Sequence, residues 1–134
     1  MKKILIIDQN PDSREPLSSD LSAFYQVFEA SGVEEVIRIV RTEQIDLLLL
    51  DMEGPNTDGA DICRQLKETP ETRSIPLILL STYDQREELI NGLYHGAEDY
   101  LTRPFHPSAL FARIDAHLRI KNYYAELEKE DLIL

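Results

Sequence analysis

The chain has 134 residues, 43% of them hydrophobic, a length and apolar content that suit one packed domain and exclude a disordered chain. Its formal net charge of −11 disfavours direct contact with nucleic acid or an anionic membrane surface. The single cysteine, Cys63, excludes an internal disulfide and fits a reducing, cytoplasmic setting, and there is no Cys/His cluster for zinc.

In chain order, Lys3 to Ile7 is a nearly unbroken aliphatic run ending at Asp8, with no small-residue cleavage site of a signal peptide around it. Leu17, Leu21 and Phe24 then fit one helix face, and Tyr25 to Glu29 reads as a weaker strand. Val33, Val36, Ile37 and Val40 follow the i, i+3, i+4, i+7 pattern of a helix. Ile45 to Leu50 is a second aliphatic run, ending at Asp51, and Ile62, Cys63 and Leu66 mark a third helix. Ile75 to Leu80 is a third run, ending at Ser81. Leu89, Ile90, Leu93 and Tyr94 mark a fourth helix, Asp99 to Thr102 an edge strand, and Leu110, Phe111, Ile114 and Leu118 a fifth helix. The longest apolar runs are too short to cross a bilayer, so no membrane span is expected.

Continuous apolar runs signal strands buried on both faces, as in a parallel sheet. Strand and helix alternate five times, which predicts an α/β fold with a doubly wound parallel sheet and helices on both sides. Ligands in such sheets bind beyond the carboxyl ends of the strands. The residues there are Asp8, Gln9, Asp51, Ser81, Thr82 and Arg103. Two carboxylates, hydroxyls and one cation at a single rim suit a hard cation and a phosphoryl group together. Asp51 is the candidate nucleophile, although a lone Asp at a strand end often only caps a turn.

Four segments carry a family resemblance. They are Ile4-Leu5-Ile6-Ile7-Asp8-Gln9-Asn10-Pro11, the run Asp46 to Gly59, Ile75-Pro76-Leu77-Ile78-Leu79-Leu80-Ser81-Thr82, and Gly96 to Phe105. In this order and spacing the chain resembles the receiver domain of two-component response regulators over about residues 1–120. The resemblance implies a five-stranded sheet ordered 2-1-3-4-5 with five flanking helices. It implies that Asp51 accepts a phosphoryl group from a histidine kinase or phosphotransfer protein. Magnesium would be held by Asp8, Asp51 and the backbone carbonyl of Glu53. Ser81 would move towards the phosphoryl oxygen, with Tyr100 changing rotamer behind it and Thr82 lining the mouth. A cis bond would precede Pro104.

Three departures from that pattern touch the same rim. Gln9 stands where the family has a second acidic residue, so it is a weak metal ligand and magnesium affinity should fall; the Glu53 side chain either offsets this or faces solvent. Arg103 stands where the family has lysine, and its wider, planar fork either bonds Asp51 in a resting state or grips the phosphoryl group. Pro16 falls inside the first helix if Asn10 caps it and Pro11 begins it; a start near Ser13 would put Pro16 in the first turn instead.

Beyond Leu118 a new stripe, His117, Ile120, Tyr124, Leu127, Asp131 and Leu134, runs at a period of about 3.5, which suits a two-helix seam. Residues 121–134 therefore read either as a helical extension, a linker to an output domain or a dimerisation helix giving a homodimer, or as a frayed helical tail. His95, His106 and His117 form no ligand motif. Two rival functions remain: a phosphorylation-independent pseudo-receiver serving as an interaction module, and a small phosphohydrolase. The second lacks the Asp two residues beyond the nucleophile that such enzymes often use, since Glu53 stands there.

Overall fold

The structure is a computed structural model that describes residues 1–9, 11–52 and 58–133. Five strands alternate with five helices: β1 (Lys3–Ile7), α1 (Pro11–Ser22), β2 (Gln26–Ala30), α2 (Val33–Thr42), β3 (Leu47–Asp51), α3 (Gly59–Glu68), β4 (Leu77–Thr82), α4 (Arg86–Tyr94), β5 (Asp99–Arg103) and α5 (Pro107–Ile133). A short 3-10 turn, Tyr83–Gln85, joins β4 to α4. The strands form one parallel sheet in the order β2-β1-β3-β4-β5.

Alternation along each strand splits the aliphatic runs between two cores. Leu5, Ile7, Leu48, Leu50, Leu77 and Leu79 pack with Val36, Cys63, Leu66 and Leu89 of α2, α3 and α4. Ile4, Ile6, Leu47, Leu49, Ile78 and Leu80 pack with Leu17, Leu21, Leu110, Ile114 and Leu118 of α1 and α5. Each fully buried aliphatic side chain contributes about 1.5–3 kcal/mol. Burial also pushes the Cys63 thiol up to about 11, and its Sγ donates to the Gly92 carbonyl at 3.2 Å.

Several boundaries differ from the sequence reading. Tyr25 donates its N–H to the Leu21 carbonyl at 3.0 Å and so closes α1; the strand begins at Gln26. Phe24 also lies past the helix, 64% exposed, with its ring 5.2 Å from Phe111. Pro76 has no N–H for the ladder, and β4 begins at Leu77 and runs on through Ser81 to Thr82. In α4, Leu89 and Gly92 face the sheet, while Ile90 and Tyr94 are exposed. A methyl group on Gly92 would stand 2.5 Å from Leu79 Cδ1, so the helix lies closer to β4 than a larger residue allows. Helix α1 starts at Pro11, not near Ser13, and Pro16 sits inside it, where it removes one backbone hydrogen bond. The expected Asn10 cap lies outside the described residues.

At the amino end of the sheet, polar groups tie the strands together. Lys67 Nζ, on a side chain only 8% exposed, donates to Glu98 Oε1 at 2.7 Å and to the Ile75 carbonyl at 2.9 Å. Glu98 Oε2 accepts from the Leu77 N–H at 2.6 Å. On β3's side, Asp46 Oδ2 accepts from the Lys3 N–H at 2.7 Å, and Lys3 Nζ meets Glu43 at 2.9 Å. Among the described residues no helix is long and apolar enough to cross a membrane.

Candidate functional site

The carboxyl ends of β1, β3, β4 and β5 bring polar residues onto an otherwise apolar sheet. Ile7 is in register with Leu50, so Asp8 and Asp51 follow side by side at the ends of β1 and β3. Both are buried, each 1% exposed. The Asp8 N–H donates to the Ala30 carbonyl at 2.9 Å, which fixes its backbone against β2. Gln9, the next residue, is exposed at the lip.

Arg103 ends β5 and reaches Asp51 across the intervening β4. Leu49 and Leu101 belong to the core shared with α1 and α5; Asp51 and Arg103, two residues further along their strands, continue that face. The span over one strand is about 10 Å, within reach of an arginine but not of a short side chain. Its guanidinium donates to both carboxylate oxygens, Nη2 to Oδ2 at 2.8 Å and Nη1 to Oδ1 at 3.3 Å. This is the two-pronged geometry for which a guanidinium is shaped and an ammonium is not. The other side of the guanidinium lies 5.7 Å from the centre of the Phe105 ring, an additional cation–π contact. The Arg103-Pro104 peptide bond is cis.

Ser81 is in register with Thr102, and Tyr100 with Leu79. Leu79 faces the α2–α4 core, so Ser81 and Tyr100 share the side of the sheet that α4 covers. Ser81 is fully buried, and its hydroxyl has no hydrogen-bond partner among the described residues. A hydroxyl left so costs about 1–3 kcal/mol. Tyr100 is 43% exposed at the edge. Thr82, opposite Arg103, is half-buried at the mouth. The geometry thus joins Arg103 to Asp51 directly and sets Asp8 beside them; it gives Ser81 and Tyr100 a common face without a bond between them. Glu53 and its carbonyl lie outside the described residues. His117, which belongs to no ligand motif, has a structural place: its Nε2 lies 3.0 Å from Asp99 Oδ2.

Gln85 was not singled out from sequence. Its Nε2 donates to the Met52 carbonyl at 3.1 Å, and its Oε1 accepts a long bond from the Thr82 N–H at 3.4 Å. It therefore links the residue after Asp51 to the end of β4. The signal was present: Thr82-Tyr83-Asp84-Gln85 has the Ser/Thr-x-x-Glu/Gln spacing that begins helices.

Residues 4–115 match the family model of the response regulator receiver domain, and the chain belongs to that family, the regulatory module of two-component signalling. It is 35% identical over 130 residues to the response regulator PleD of Caulobacter vibrioides, covering 96% of this chain and 29% of that protein. It is 38% identical over 119 residues to the phosphate regulon transcriptional regulatory protein PhoB of Pseudomonas aeruginosa, covering 88% of this chain and 52% of that protein. The chain thus spans about half or less of these relatives' lengths. Among solved structures, a response regulator receiver modulated diguanylate cyclase from Pelobacter carbinolicus superposes with a TM-score of 0.76 at 40% identity, over 94% of this chain and 99% of that one.

Proposed function

We propose that this chain is a phospho-accepting receiver whose resting state is held by the Arg103–Asp51 pair. Asp51 is the nucleophile. A carboxylate oxygen attacks phosphorus in a phosphohistidine of a histidine kinase or phosphotransfer protein. The P–N bond breaks, its electron pair returns to the imidazole, and an acyl phosphate remains on Asp51. Arg103 is the observation that carries this reading. Its cation already lies on both Asp51 oxygens, where the charge of a phosphoryl group would collect. Before transfer the same two bonds occupy the nucleophile, so Arg103 must turn aside, and the Phe105 ring offers it a neighbouring perch.

The donor set suits a magnesium ion, which takes one or two carboxylates plus water and phosphate oxygens. Asp8 and Asp51 would supply the carboxylates, Glu53 a backbone carbonyl and Gln9 at most a weak amide oxygen. When bound, the ion neutralises charge on the phosphoryl oxygens. With Gln9 in place of a carboxylate and Arg103 close by, its affinity is low. Ser81 then turns its hydroxyl to the phosphoryl oxygen, and Tyr100, on the same face, changes rotamer and alters the surface between α4 and β5. Residues 121–134 lead from this face to a further copy or to an output domain, and the chain works in the cytoplasm without itself contacting nucleic acid.

A second reading is favoured by the same ion pair. A carboxylate already satisfied by a guanidinium needs no phosphate, as in an interaction module that has lost phospho-acceptance. Beryllofluoride with magnesium, titrated while amide resonances are recorded, separates the two. The receiver reading expects Asp51, Ser81, Tyr100 and Arg103 resonances to shift; an unchanged spectrum at saturating reagent overturns it in favour of the interaction module.

A further inference from the structure

Helix α5 leaves the body of the molecule with an apolar stripe still on it. Up to Lys129, Leu118 is its last buried residue, and every residue from Asn122 to Lys129 is exposed. Yet Ile120, Tyr123, Tyr124 and Leu127, exposed by 49%, 63%, 63% and 38%, line a groove of about 720 Å³ with Ala116 and Arg119. A projecting helix draws little stability from propensity alone and normally needs its apolar face covered. Ile120, Tyr124 and Leu127 are spaced four and three apart, the step of a two-helix seam. His117, first in that series by sequence, is turned to Asp99 instead, so the seam starts at Ile120.

Charge identifies the occupant. Between His117 and Ala125 the helix carries Arg119 and Lys121 and no carboxylate. From Glu126 to Leu134 it carries Glu126, Glu128, Glu130 and Asp131 against Lys129 alone. Two parallel copies would stack acid on acid along their second halves. Two antiparallel copies set the cationic start of each against the acidic end of the other, and like charges in the first arrangement repel over the same distances.

We propose that the partner for this stripe is a second copy of the chain, paired antiparallel through α5 about an axis between Ala125 and Glu126. In that register Tyr124 of each copy packs on Leu127 of the other, and Lys121 flanks the other's Glu128. Arg119 is bonded within its own helix to Asp115 at 3.2 Å, and Lys121 Nζ stands 3.9 Å from Asp46; both are partly exposed contacts that a second acidic helix augments. Two helices of this length bury on the order of 1,000 Å², the lower edge of a specific interface, so association falls in the micromolar range. The inference rests on 121–134 being an extension outside the receiver body and not on phosphorylation of Asp51.

Sedimentation of the whole chain through the micromolar range tests the pairing. A reversible dimer is expected, abolished by Y124E or L127E with the thermal unfolding of the receiver body unchanged, because both side chains lie outside its core. Orientation is read in a C63A background by mixing K121C with E128C under mild copper-phenanthroline oxidation. Disulfides between unlike variants support the antiparallel pair. A monomer at every concentration, or disulfides only between like variants, overturns it. Because beryllofluoride binding to Asp51 is read separately, either conclusion can fail without the other.

Discussion

The two ends of the sheet treat buried polar groups in opposite ways. At the amino end every strand tie is matched: Lys67 is shared between Glu98 and a backbone carbonyl, and Glu98 also accepts from Leu77. At the carboxyl end two carboxylates lie buried side by side, the Arg103 guanidinium donates to both oxygens of Asp51, and the Ser81 hydroxyl has no partner among the described residues. Matched polar groups hold an edge in place, whereas poorly matched ones raise the energy of the resting state and leave bonds to be made later. One end of this fold is therefore a clamp and the other a receptacle.

The largest expected contrast comes from the clamp. Glu98→Ala removes the carboxylate paired with Lys67 and the acceptor of the Leu77 N–H, and should lower unfolding free energy by about 1–3 kcal/mol, read by urea denaturation. At the receptacle, Arg103→Lys removes one prong of the Asp51 grip while keeping its charge. Losing one charge-assisted bond of about 1.4 kcal/mol should speed phosphorylation by a small-molecule donor about tenfold; an unchanged rate would mean that the pair does not hold the resting state. Ser81→Ala should change stability by at most about 1 kcal/mol, towards greater stability, because the hydroxyl it removes makes no bond. A loss comparable to that of Glu98→Ala would erase the distinction between the two ends.

The smallest effect lies in the apolar layer between them. Burial raises the Cys63 thiol to about 11 from its usual 9.0. A group raised in the folded state holds its proton longer there than in the unfolded chain. Its contribution is present in full below pH 9 and is lost as pH rises through about 11. Cys63→Ala should therefore flatten that part of the stability profile, beneath a pH-independent loss of about 1 kcal/mol from the vacated space and the lost bond to Gly92.

The buried framework was legible because its chemistry is repetitive. Lys3 to Ile7, Ile45 to Leu50 and Ile75 to Leu80 announce strands covered on both faces. Edges were less legible, since exposure there is decided by neighbours that a linear pattern does not contain. Ile90 and Tyr94 resemble core residues by type, yet the close approach at Gly92 turns them outward. Tyr25 carries strand propensity, yet its N–H completes α1. At the rim, the residue types at strand ends and the family resemblance named Asp8, Asp51, Ser81 and Arg103. The fork from Arg103 across β4, the common face of Ser81 and Tyr100, and the Gln85 bridge to Met52 all depend on register between distant strands.

The central claim is that Asp51, gripped by Arg103, is a working nucleophile. Its most direct test is intact-mass spectrometry of the chain incubated with acetyl phosphate and magnesium, alongside Asp51→Asn and Arg103→Lys. The account predicts one phosphoryl group on the unmodified chain, faster gain in Arg103→Lys and none in Asp51→Asn. Absence of the phosphoryl group from both the unmodified chain and Arg103→Lys, or its persistence in Asp51→Asn, would contradict it.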